Sequence, residues 1–118
     1  MIWVRMGAMM MFFAVGLGAF GAHAIRGKIS DYYFDVYRTA VLYQFIHALG
    51  LFVVAWASTI SADARISWAG MLMIAGIILF SGSLYVLSLT GIKWLGAITP
   101  LGGLCFLASW FCLYAAKY

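Results

Sequence analysis

The chain contains no glutamate and only three acidic residues in all. Asp31, Asp35 and Asp63 all lie outside its long apolar runs. No carboxylate therefore stands at membrane depth. That removes the group a proton-coupled exporter would titrate, and the paired aspartates an intramembrane protease would use. Charged residues of either sign make up only 8% of the 118 residues, where soluble domains average about 25%. Seven basic residues and a net charge of +4 are too few and too scattered for a nucleic-acid surface. Cysteine is equally sparse. Cys105 and Cys112 share an apolar run and fall about 10 Å apart along a helix, too far for a disulfide within it. They read as small apolar packing groups. There is a single proline, Pro100.

What the chain does have is apolar length. It is 67% hydrophobic with a mean hydropathy of +1.07. A soluble protein of this size could not hide that much apolar surface. Charges divide the chain into four apolar segments: Met6 to Ile25, Thr39 to Thr59, Ile66 to Leu89, and Trp94 to Ala116. None holds Asp, Glu, Lys or Arg, and each can cross a hydrocarbon core of about 30 Å. Barrel strands would be about 10 residues long and would alternate polar with apolar. The expectation is an all-α integral membrane four-helix bundle, one transmembrane domain over 1–118, with helices near 6–25, 31–59, 66–89 and 94–116. Short connections make consecutive helices antiparallel neighbours.

Ser30 suits an N-cap, with Asp31 in the first turn, so the second helix starts well before its apolar part. Trp3, Trp68, Trp94, Tyr114 and Tyr118 fall near helix ends, where aromatic belts lie. Trp56 and Trp110 fall deeper and read as packing residues. Arg5, Arg65 and Lys117 occupy one side; Arg26, Lys28, Arg38 and Lys93 occupy the other. That is almost no positive-inside bias, so both orientations stay open.

The stretch "GLGAFGAHAIRGK" (Gly16 to Lys28) admits three readings. It spells G-x-G-x-x-G, but a dinucleotide fingerprint needs a strand before its glycines and a helix opening at them. Here the glycines end an apolar run. Ala22-His23-Ala24 fits a signal-peptide cleavage pattern, yet the run before it exceeds a usual signal core. An uncleaved first helix is the better reading. Ala14, Gly18 and Ala22 then follow small-xxx-small spacing for close helix approach, Gly16 and Gly21 widen that face, and Gly27 suits the helix end. Gly82, Gly102 and Gly103 extend the same packing role to the later helices.

Polar groups in lipid should face protein or water. Tyr33, Tyr37, Ala40, Gln44 and His47 form one stripe on the second helix. Ser81, Tyr85 and Ser88 form another, with Gly82 and Ser83 beside it. Thr99, Gly103, Phe106 and Trp110 line up on the fourth. These stripes serve either as interhelical hydrogen bonds or as a polar pocket. His47 and Gln44 are the strongest functional candidates, because an ionisable group inside a membrane is one by default. A haem or metal shared by His23 and His47 is disfavoured: antiparallel neighbours leave them at different depths, and no second ligand accompanies either. Pro100 either kinks the fourth helix or starts it after a Thr99 cap.

Four local patterns together carry a resemblance: "GAFGAH" (Gly18 to His23), "YQFIHALGL" (Tyr43 to Leu51), "LFSGSLYVLSLTG" (Leu79 to Gly91) and "WLGAITPLGGLCFLASW" (Trp94 to Trp110). In this order the chain resembles the domain-of-unknown-function 423 family of small bacterial membrane proteins. It departs at Ser109, where such proteins often have glycine. The resemblance implies a four-helix, multi-pass protein of the bacterial plasma membrane. It supplies no catalytic residue or cofactor, and it adds weight to His23, Tyr43, Gln44, His47, Ser81, Ser83, Tyr85 and Pro100.

The resulting expectation is a non-enzymatic, tightly packed and self-associating bundle with no cofactor and no metal. Its candidate polar cluster is His23, Tyr43, Gln44, His47, Ser81, Ser83, Tyr85 and Thr99. Its partners are the lipid bilayer, a second copy of the chain, and a bound lipid or small molecule. The alternative is a small transporter or channel using His47 and Gln44 in a polar path.

Overall fold

A computed structural model describes all 118 residues. It is helical throughout, with no strand. Four helices are long and apolar enough to span a membrane: α1 (Ile2–Ile25), α2 (Asp31–Ile60), α3 (Ala64–Thr90) and α4 (Lys93–Ala115). α2 starts at Asp31 as expected, while α1, α3 and α4 start earlier than the charges suggest, because Arg5, Arg65 and Lys93 lie inside their helices rather than before them. The Cα trace measures 47 × 26 × 16 Å. Its length matches a bilayer of about 40–45 Å including headgroups. Its thinness reflects a flattened arrangement: α2 and α3 are the most covered helices, while α1 and α4 flank them.

The α1–α2 turn follows local rules. Gly27 takes φ +82°, a conformation that strains any residue with a Cβ. The Ser30 hydroxyl then accepts from the Tyr33 N–H at 3.2 Å and caps α2. Gly91, at φ 72°, ends α3 in the same left-handed way. The Thr99 reading needs correction. Ile98, not Thr99, precedes the final α-helix, and Pro100 sits in its first turn, where a missing N–H costs nothing. Pro100 therefore starts this helix and does not kink it. The preceding Lys93–Ala97 segment is a tighter 3₁₀ turn.

Two helices also widen locally into π-turns, over Gly21–Ile25 and Ile77–Gly82. Both mark close approaches. At the first, the Tyr37 ring lies against Gly21. At the second, the Phe80 backbone lies against Gly102.

The core is built by glycines receiving large groups from other helices. Gly70 receives the Trp3 ring, Gly50 the Met73 thioether, Gly76 the Phe106 ring, and Gly7 meets Ala48 and Phe52. Of the packing residues expected from spacing, Ala14 is fully buried, Gly18 touches Val41, and Gly102 is in tight contact. Four residues depart from that expectation. Ala22 is exposed, because in the π-turn it is Gly21 and not Ala22 that faces Tyr37 of α2. A Cβ on Gly82 or Gly103 would meet nothing closer than 3.9 Å, so neither supports a close crossing. Gly16, with nothing within 4 Å, faces out as well. Trp56 is also a correction: it is 61% exposed and points outward near the end of α2, not into the core.

The α2–α3 turn fastens the C-terminus. Asp63 caps α3 by accepting from the Arg65 N–H at 2.9 Å, and its other oxygen accepts from the Lys117 N–H at 2.8 Å. The Arg65 guanidinium donates to the Ala115 carbonyl, and the Ser61 hydroxyl to that of Lys117. These bonds bring Arg65 and Lys117 to the same side, as the charge pattern requires.

The N–H groups of Arg65, first, and Lys117, second, hold the Asp63 carboxyl below its ordinary value of 3.8. The folded form thus favours the carboxylate. Its contribution is present above the unfolded value and is lost as pH falls through the lower folded value. Protection of the Lys117 amide from hydrogen exchange should hold from neutral pH down to the ordinary 3.8 and fade only below it. Fading that begins at about pH 6, in the range of a histidine, would contradict the clasp. Gly102→Ala should cost about 1–3 kcal/mol in denaturant unfolding from micelles, since its Cβ runs into backbone that cannot rotate aside. Gly16→Ala should not destabilise, and should gain up to about 1 kcal/mol from the better helix propensity of alanine. Equal effects at the two sites would refute this packing.

Candidate functional site

Gln44 is the best-connected polar side chain in the bundle. Its Nε2 donates to the Met10 carbonyl of α1 at 2.9 Å. Its Oε1 accepts from the Tyr85 hydroxyl of α3 at 2.6 Å. One side chain on α2 therefore ties three helices. The helical spacing that puts Tyr37, Ala40 and Gln44 on one stripe supplies the neighbouring bonds. The Tyr37 hydroxyl donates to the Leu17 carbonyl of α1 at 2.5 Å, and Ser81 of α3 donates to the Ala40 carbonyl at 2.8 Å. The Tyr37 and Tyr85 rings meet edge to face at 5.4 Å.

His47 lies one turn on but serves a different helix. Its Nδ1 is 2.8 Å from the Tyr43 carbonyl, and its Nε2 is 3.0 Å from the Trp110 indole nitrogen of α4. A carbonyl only accepts and an indole N–H only donates. The proton must therefore sit on Nδ1, and Nε2 must accept, which fixes the neutral tautomer. The ring stacks on Phe106 with centroids 3.5 Å apart and planes 8° from parallel. Phe106 in turn fits against Gly76 and, through Phe80 at 5.5 Å, reaches Tyr43. His47 thus occupies an aromatic box with both nitrogens engaged.

Three further hydroxyls join α3 to α4. Ser83 and Thr99 pair at 2.6 Å, and Ser109 donates to the Ala69 carbonyl at 2.6 Å. Ser109 is fully buried and spends its hydroxyl on this interhelical bond. Ser88 only donates back to Tyr85 on its own helix, at 2.9 Å. Every buried side-chain nitrogen and oxygen has a partner.

The expected cluster of eight is therefore not one site. Gln44, Tyr85 and Ser81 form one set; His47 and Tyr43 form a second; Ser83 and Thr99 form a third. His23 belongs to none: it is exposed at the end of α1 and makes no hydrogen bond. This corrects its place in the cluster. Its position beside the basic helix end sets it outside the packed faces, and it cannot share a ligand with the enclosed His47. Ser81, Ser83 and Ser109 all bond to groups other than His47. Trp110, expected only to pack, is the hydrogen-bond donor to His47 while remaining 39% exposed. The carbonyl partners at Met10, Leu17, Ala40 and Ala69 carry no sequence signal. Any residue presents one.

Four apolar spans, fastened by interhelical bonds in a lipid-facing frame, define a multi-pass helical membrane protein. The chain matches the family described as "Protein of unknown function (DUF423)" over residues 17–103, and it belongs to that family. It is 54% identical over 116 residues to the UPF0382 membrane protein YwdK of Bacillus subtilis, covering 98% of this chain and 94% of that one. It is 45% identical over 117 residues to a UPF0382 membrane protein of Staphylococcus haemolyticus, covering 99% and 95%. A UPF0382 membrane protein of Staphylococcus aureus is 47% identical over the same length, again with 99% and 95% covered. No solved structure matches the chain.

Proposed function

We propose that this protein is a non-enzymatic bundle of the bacterial plasma membrane whose intramembrane polar residues act as helix fasteners. In this reading it works by associating with a second copy and with surrounding lipid. The observation that carries it is the bonding of Gln44 and His47. The two residues best suited to bind or relay a solute are bonded to α1, α3 and α4 instead. Bonds of this kind contribute only about 0.6 kcal/mol each on average. Their value lies in setting register, since each fixes the rotation and depth of one helix against the next.

Self-association is supported by the flattened shape. The outer helices α1 and α4 turn most of their surface away from the bundle. On α1 the open face carries Gly16, where a neighbouring backbone could approach closely. A path through Gln44 and His47 finds no support, because the two residues turn to different helices. One preparation tests the reading. Dye-labelled protein in liposomes loaded with a pH indicator should bleach in two or more steps per assembly, and should not speed collapse of a pH gradient beyond protein-free liposomes. Single-step bleaching at every protein-to-lipid ratio would refute self-association. Gradient collapse that His47→Ala abolishes would refute the fastener role.

A further inference from the structure

A lipid-facing hollow lies between the end of α1 and the start of α2, away from Gln44 and His47. It has a volume of about 390 Å³ and is open along one side. That is within the range of ligand sites, roughly 300–1,000 Å³. Its floor is apolar: Gly18, Val41, Leu42 and Phe45 run along it toward the membrane interior. Its back wall is the Tyr37 ring, packed against Gly21 and pinned through its hydroxyl to the Leu17 carbonyl.

Two arginines stand at its mouth. Arg26 ends α1 and Arg38 stands on α2, past its N-terminal turns. Their guanidinium carbons lie 5.9 and 6.0 Å from the centroid of one ring, that of Phe34. Both thus gather around a single aromatic at the membrane boundary. Neither is paired. The ion pair in the fold joins Arg65 and Asp63, on the opposite side of the bundle, and the exposed Asp31 and Asp35 pair with neither arginine. A guanidinium presents a fork of donors that matches a phosphate diester. Unpaired basic residues above an apolar groove between helices suit the headgroup and chain of one molecule.

We propose that this groove binds an anionic glycerophospholipid from the surrounding leaflet. Arg26 and Arg38 hold its phosphate, and one acyl chain lies along Gly18, Val41, Leu42 and Phe45. Ala22 is exposed at the edge of the same groove, which explains a small residue there without a helix partner. The site needs only the membrane setting. It stands or falls independently of self-association.

Native mass spectrometry of the full chain, released from nanodiscs of equal parts phosphatidylglycerol and phosphatidylcholine with identical acyl chains, reads the site on the monomer peak. The parent should retain phosphatidylglycerol preferentially. Arg26→Gln and Arg38→Gln should each reduce that preference about fivefold, the effect of one basic residue near an anionic surface. Arg5→Gln, on the opposite side, should leave it unchanged. Ala22→Phe fills the groove while sparing both arginines, and should cut retention of either lipid. Millimolar inorganic phosphate should not displace the bound lipid, which separates a lipid site from a simple phosphate site. Equal retention of the two lipids by the parent would overturn the proposal. So would an undiminished preference in either arginine variant, or displacement by free phosphate. Both arginines are exposed and their side chains make no hydrogen bond, so their glutamine variants keep the fold, and the single variants and Ala22→Phe each test the site alone.

Discussion

An amide left unpaired in hydrocarbon costs several kcal/mol, so Gln44 can stand inside this bundle only where two other helices reach it. That requirement organises much of the structure. The Met10 carbonyl must lie at the depth of Gln44, which sets the height of α1. Tyr85 must turn its hydroxyl inward, which sets the rotation of α3. The neighbouring bonds from Tyr37 and Ser81 repeat the same demand a turn or two away. Because lipid tails compete equally for apolar side chains, burial alone would not choose among rotations of these helices. Directional bonds do.

His47 applies the same logic to α4. Its engagement by the Tyr43 carbonyl and the Trp110 indole leaves a neutral ring that stacks like an apolar one on Phe106. The glycines complete the arrangement. Gly76 admits the Phe106 ring and Gly102 admits the Phe80 backbone, so α3 and α4 come close enough for Ser83 to meet Thr99 and Ser109 to meet Ala69. Polar bonding and close packing are here two aspects of one contact.

Much of this was legible in the sequence, for identifiable reasons. Charge-free runs mark spans because charge is excluded from hydrocarbon, and Gly27 and Ser30 mark a turn because few residues serve those backbone positions. The stripe carrying Gln44 and His47 does face inward. What periodicity could not give is destination: residues one turn apart on α2 bond to different helices, and their partners are often backbone carbonyls. His23 was misplaced because sequence proximity to a small-residue face does not say where that face ends. Gly7, Gly50, Gly70 and Gly76 were missed for a related reason. Each is defined by a large group arriving from another helix, such as Trp3 at Gly70 or Met73 at Gly50. Spacing along one helix does not record such an arrival. Trp56 shows the converse, a large apolar residue that lipid accommodates as readily as a core would.

The register of the bundle rests on the coupling of Gln44 to Tyr85 across α2 and α3. A double-mutant cycle with Gln44→Leu and Tyr85→Phe, read by reversible unfolding in lipid bicelles, measures that coupling directly. The predicted interaction energy is about 0.6 kcal/mol and at most about 1.7 kcal/mol, the span observed for interhelical bonds in membranes. Strictly additive effects of the two substitutions would contradict it.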